Sequence, residues 1–205
     1  MLNEKGPAKL SDSGWTSGWH ALYTRHQHEK VVAQALSGKG FEVFLPLYSA
    51  VRRWKDRQKE LSLPLFPSYV FIQGGLDRML NIVTTPGVHA LVGWGGRPAV
   101  VPQEEIEAVR RMVQSAIQVE PHPYLKSGDW VRIKSGPLEG IRGILLRKKS
   151  VYRLVLSVEM LEKSVAVEVD VSAVERIDRG DKSSDDNYRA GSTRPMQLIT
   201  PPFEF

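Results

Sequence analysis

Residue types that perform catalysis or hold metals are thinly spread along this 205-residue chain. There is no cysteine, which excludes a thiolate nucleophile, a thiolate zinc site and a disulfide framework. His26 and His28 stand two apart in a polar stretch, but no carboxylate cluster accompanies them, and zinc takes three or four ligands. Gly93-Trp94-Gly95-Gly96 is glycine-rich yet lacks the Lys-Ser/Thr of a phosphate loop, so it reads as a turn. No nucleophile, base and oxyanion donors converge in the pattern. The expectation is a protein that is not an enzyme and uses no cofactor and no metal.

What the sequence does concentrate is positive charge around an aromatic ring. Arg52, Arg53, Lys55, Arg57 and Lys59 surround Trp54, with Asp56 as the acid among them. A projecting tip of this composition can combine phosphate attraction with base stacking, which makes Arg52, Arg53, Lys55 and Arg57 candidate DNA contacts. The alternative is a solvated hairpin tip. The whole chain has 28 Lys plus Arg against 23 Asp plus Glu, a net charge of +5, which suits a polyanionic partner. The excess sits early: twelve basic against eight acidic residues in 19–118, and ten against nine in 120–178.

The elements that would carry these residues follow from hydrophobic period and punctuation. Trp19 to Tyr23 reads as a strand, and Glu29 to Lys39 as a helix with Val32, Ala35 and Leu36 on one face, stopped by Gly38 and Gly40. Phe41 to Val51 has strand character, the basic run through Lys59 looks like a hairpin tip, and Leu61 to Ile72 would return as an edge or bulged strand because of Pro64 and Pro67. Asp77 to Val83 is a short helix candidate and Val88 to Trp94 a strand. A third helix opens at Pro102, with Glu104 and Glu105 in its first turn and Ile106, Val109, Met112, Val113 and Ile117 as its apolar stripe.

Glu120-Pro121-His122-Pro123 reads as stiff and exposed, which sets a linker over 119–124. Four closely spaced strands follow, at 130–134, 141–147, 152–158 and 164–169, which suits a small barrel over 125–178. Residues 1–18 and 179–205 are too polar to offset ordering entropy and are expected to be disordered tails. No signal-peptide run and no stretch of about 18 apolar residues is present, so a cytoplasmic protein without a membrane span is expected.

The most specific segment is Pro64-Leu65-Phe66-Pro67-Ser68-Tyr69-Val70-Phe71. It is similar to the Pro-Leu-Phe-Pro-Gly/Asn-Tyr signature of the NusG family of transcription elongation factors. Gly128 to Gly143 resembles a KOW motif, which occurs in ribosomal proteins as well. With Trp19-His20-Ala21-Leu22-Tyr23 the likeness covers about residues 19 to 178. It implies an α+β fold: an N-terminal β-α-β-β-α-β-α sandwich with an antiparallel sheet (NGN-like), covering 19–118, then a five-stranded SH3-like KOW β-barrel.

The resemblance further implies an apolar depression that docks on RNA polymerase, formed by Tyr23, Phe66, Pro67, Tyr69 and Phe71. A second polymerase contact across the DNA cleft would fall near Arg78 and Asn81. Ser68 and the long basic hairpin look more like the specialised RfaH-like or capsule-operon (UpxY-like) paralogues than the housekeeping factor. Those paralogues read the displaced non-template strand, and Arg25 and His26 occupy the corresponding turn. The barrel would take a ribosomal protein or Rho through Leu138, Met160 and Leu161, in a protein acting as a monomer. Refolding of the barrel into helices, an RfaH feature, is disfavoured by the β-branched series Val165, Val167, Val169 and Val171. The competing reading is a ribosome-associated RNA-binding protein that uses the KOW barrel.

Overall fold

The computed structural model describes residues 17–54, 57–94, 97–115, 117–124, 128–148, 151–158, 161–177 and 197–199. The expected N-terminal tail lies, up to residue 16, outside the described residues. The first domain is built on an antiparallel sheet whose central strand, β1 (Trp19–Thr24), lies between β5 (Tyr69–Gln73) and β6 (Val88–Trp94). β2 (Glu42–Phe44) extends the sheet beyond β5, and β7 (Arg97–Pro98) folds back onto the end of β6. β3 (Leu47–Trp54) and β4 (Arg57–Pro64) form a separate two-stranded ribbon.

Alternation along the strands gives the sheet two apolar faces. One carries Leu22, Val70, Ile72 and Leu91, clustered with Val32 and Leu36 of α1 (Glu29–Gly38) and Ile82 of α2 (Met79–Val83). The other carries Ala21, Tyr69, Phe71 and Val92, clustered with Ile106, Val109 and Met112 of α3 (Gln103–Gln114). Buried His20, with Nδ1 2.8 Å from the Ala99 carbonyl, pins the chain entering α3 to β1.

The Pro-Leu-Phe-Pro-Ser segment is not part of one return strand, as its apolar content suggested. The strand breaks after Pro64, and the chain turns so that Leu65 and Phe66, each about 1% exposed, enter the core. Leu65 N–H donates to the Pro46 carbonyl and Tyr69 N–H to that of Phe66. Ser68 sits at φ 66°, a left-handed conformation that costs a residue with a Cβ roughly 1–2 kcal/mol. Its N–H donates to Oε1 of Glu29, a carboxylate only 3% exposed, over 2.7 Å. Glycine at 68 is therefore expected to raise the unfolding free energy by up to about 1 kcal/mol, after its own entropic cost. Glu29→Ala, which strands that N–H, should lower it by about 1–3 kcal/mol. Urea denaturation of Ser68→Gly and Glu29→Ala checks both signs; a destabilising glycine would contradict the strain.

The second domain is a six-stranded antiparallel sheet in the order β13 (Val174–Arg176), β9 (Asp129–Ile133), β10 (Arg142–Lys148), β11 (Val151–Val158), β12 (Lys163–Val169), β8 (Val119–His122). Five strands are those of the expected small barrel, and the segment is β-structured as its valine series suggested. Gly136 and Gly140, at φ 91° and 81°, turn the chain between β9 and β10.

Two stretches differ from the sequence-based expectation. Residues 119–122, expected within a linker, form β8 and pair with β12, placing Pro121 opposite Val165. Proline is tolerated there because β8 is the sheet's edge strand, and Arg153 of β11 holds Glu120 in an ion pair. Residues 197–199, expected within a disordered tail, form β14 (Gln197–Ile199), which pairs with the outer edge of β6. The rest of that tail, from 179 to 196 and from 200 on, lies outside the described residues, as does residue 178.

Candidate functional site

The aromatic residues singled out from the sequence are brought together on one face of the first sheet. Tyr23 and Tyr69 are opposite one another on β1 and β5, with ring centroids 5.6 Å apart in an edge-to-face arrangement. Phe66 and Phe71 meet edge-on at 5.7 Å, and Phe44 of β2 continues the row 6.1 Å from Phe71. Arg110 of α3 closes its end, its guanidinium 5.1 Å from the Phe44 ring centroid and 5.6 Å from that of Trp19. Such pairs add about 0.5–1.5 kcal/mol each beyond the area they bury.

The row lies deeper than the open docking depression that the resemblance implied. Phe66 and Phe71 are fully buried and Tyr69 nearly so, whereas Tyr23 is half-buried and Pro67 exposed. The same hydrophobic cluster continues into the barrel through Leu138, Ile141, Leu154, Leu156 and Leu161. Leu138 and Leu161, expected as partner-binding residues, are accordingly buried rather than presented to solvent. Met160 lies outside the described residues.

Polar contacts from Arg111 tie α3 to the barrel. Arg111, in the last turn of α3, donates from Nη2 to the carbonyls of Pro137 and Glu139 at 3.0 and 2.6 Å, on the barrel turn that carries Leu138. Burial raises the Tyr69 phenol above its ordinary value, and Tyr23 and Glu162 of the barrel push it in the same direction. Arg111 and Glu162 were missed from sequence. An arginine in a helix's last turn already has a reason to be there, since it complements the dipole, and nothing local signals a partner 26 residues ahead.

The basic hairpin is present, with a tighter tip than the charge run suggested. The strands run through Arg52, Arg53 and Trp54 and resume at Arg57, and Lys55 and Asp56 lie outside the described residues. The register sets Arg52 opposite Lys59 and Trp54 opposite Arg57. Arg53 and Lys59 are exposed. Arg25 and His26 are exposed at the β1–α1 turn, where Arg25 N–H donates to the Gly87 carbonyl.

Arg78 and Asn81 form a separate exposed patch at α2. The Arg78 guanidinium lies 4.1 Å from the Phe41 ring centroid, and Lys39 Nζ donates to the Asn81 carbonyl. Exposed Leu80 lies between them. Among the described residues no group of three or more His, Asp or Glu is placed to hold a metal ion, and no helix is long and apolar enough to cross a membrane.

An antiparallel sheet with an aromatic row on one face, a second antiparallel sheet and a separate two-stranded basic ribbon define an α+β architecture. Residues 17–110 match the family model described as "Transcription termination factor nusG". The chain is similar to the transcription termination/antitermination protein NusG of Halalkalibacterium halodurans, 27% identical over 172 residues, covering 78% of this chain and 94% of the relative. It is 29% identical over 184 residues to that of Deinococcus radiodurans, covering 76% of this chain and 97% of the relative. Among solved structures it resembles Thermotoga maritima NusG, described under domain interaction, with a TM-score of 0.51 at 22% identity, covering 79% of this chain and 98% of that one. That likeness supports the α+β fold with its antiparallel sheets.

Proposed function

We propose that this chain is a transcription termination/antitermination factor that binds RNA polymerase through the aromatic face of its first domain. The observation that carries the reading is the Tyr23, Tyr69, Phe71 and Phe66 row, which ends in the half-buried Tyr23 and the exposed Pro67 at the rim. Because the cluster extends into the barrel, a polymerase element that needs the whole row competes with the barrel for it. The Arg78 and Asn81 patch would supply the contact across the cleft, and Arg25, His26 and the basic hairpin would contact the non-template strand. Release of the barrel would free Leu138 and Leu161 for a ribosomal protein or Rho. Exposed Arg25 and His26, the extended hairpin and Ser68 support placement among the specialised RfaH-like or UpxY-like factors, acting as a monomer in the cytoplasm.

Co-purification of the full chain with RNA polymerase core enzyme tests this. Tyr23→Ala should weaken binding at least about tenfold while far-UV circular dichroism stays native, consistent with loss of one buried aromatic contact. Arg111→Ala, which removes two charge-assisted hydrogen bonds from the closed arrangement, should strengthen binding by about tenfold. Binding that Tyr23→Ala leaves intact would sink the aromatic-face reading. Co-sedimentation with ribosomal subunits alone would favour the ribosome-associated alternative.

A further inference from the structure

We propose that the outer edge of β6 is a strand-docking site whose resident occupant is the chain's own segment Gln197–Ile199, bound in cis. This goes beyond the polymerase reading and does not depend on it. β6 pairs with β1 and with the short β7; at the end of the sheet, among the described residues, β14 is the strand that closes it. Which groups β14 serves follows from the hydrogen bonding on the β1 side. There Ala99 N–H donates to the Val92 carbonyl, so Val92 turns its backbone groups inward. Successive residues of a strand alternate, so Leu91 and Gly93 turn theirs to the outer edge. Their register partners are Ile199 and Gln197.

Leu91 and Val92 are fully buried, and backbone groups so placed must be paired. An uncapped edge of this kind would recruit another chain. The tail suits the role of cap. Between Arg176, the end of β13, and Gln197 it is polar, and Leu198-Ile199 brings β-forming side chains at its far end. Three paired residues are too few for tight association between separate molecules. A tether of about twenty residues, however, supplies an effective concentration on the order of millimolar. The tail thus returns the chain from the barrel to the first domain, so that the barrel is connected to that domain at both of its ends.

Amide hydrogen exchange on the full chain reads the pairing directly. Ile199→Pro removes the N–H that faces Leu91, and the Leu91 and Gly93 amides should then exchange about tenfold faster or more. Val70 and Ile72, on the far side of β1, should keep their protection and so report an intact sheet. Unchanged exchange at Leu91 and Gly93 would overturn the proposal. So would wild-type protection that falls on dilution together with a dimer in sedimentation, because the occupant would then be a second copy.

Discussion

A chain with Arg52, Arg53 and Lys59 replaced by glutamate is expected to lose salt-sensitive binding to single-stranded DNA. The hairpin forms its own two-stranded sheet, and the described side chains at 53, 58, 59 and 60 are exposed, so the charge at 53 and 59 can be reversed without entering either apolar cluster. Each phosphate neutralised on a single strand contributes about 0.7 to the slope of log affinity against log salt. Removing three cations should therefore flatten the slope by about 2, and the new acids add repulsion. At low ionic strength an affinity loss of about a hundredfold or more follows. Fluorescence anisotropy with a labelled oligonucleotide across a salt series makes the measurement. An unaltered slope would return the hairpin to the status of a solvated loop and move the net positive charge's role elsewhere. Trp54, opposite Arg57 in the register, gives a second handle: Trp54→Ala should weaken binding with little change in slope, since stacking is not a counterion effect.

What could be read from the sequence was whatever is fixed locally. The third helix carries its own start signal in Pro102, Glu104 and Glu105, and its stripe through Ile106, Val109 and Met112 faces the core as its period demands. Tyr69 and Phe71 share one sheet face and Val70 and Ile72 the other, as a two-residue period requires. What could not be read was set by distant partners. Pro121 argues against a strand until one knows that β8 pairs on one side only. Gln197–Ile199 is too short for any propensity to speak, and its pairing rests on β6, a hundred residues earlier. The same holds for the aromatic row. Its members were legible, but the cluster they join also takes in Leu138 and Leu161 of the barrel, which no local pattern signals.

Gly143 joins these two kinds of information, and Gly143→Ala is expected to destabilise the barrel by about 1–3 kcal/mol, the usual cost of forcing an extra carbon into a packed interior. From sequence it stands where the KOW-like segment enters its second strand, and a glycine within a strand marks a bulge, a tight bend of the barrel wall or a close backbone approach. In the structure a Cβ at 143 would lie 2.6 Å from the Val155 carbonyl oxygen and 3.0 Å from Leu154 Cδ1. Leucine can change rotamer, but the carbonyl belongs to β11, which is paired to β10 through Ile144 opposite Val155 and Leu145 opposite Leu154. Relief therefore requires the two strands to part. Gly140 is the control, because a Cβ there meets nothing within 4 Å while its φ of 81° carries the left-handed cost alone. Gly140→Ala should cost about 1 kcal/mol through that conformation, without parting any strands. Thermal unfolding of the two variants distinguishes crowding from backbone strain. A Gly143→Ala protein as stable as wild type would mean that β10 and β11 lie further apart than described. Accelerated exchange along β10 and β11 in Gly143→Ala, absent in Gly140→Ala, would locate the cost at the strand pair that supports both Leu138's turn and the Arg111 contact.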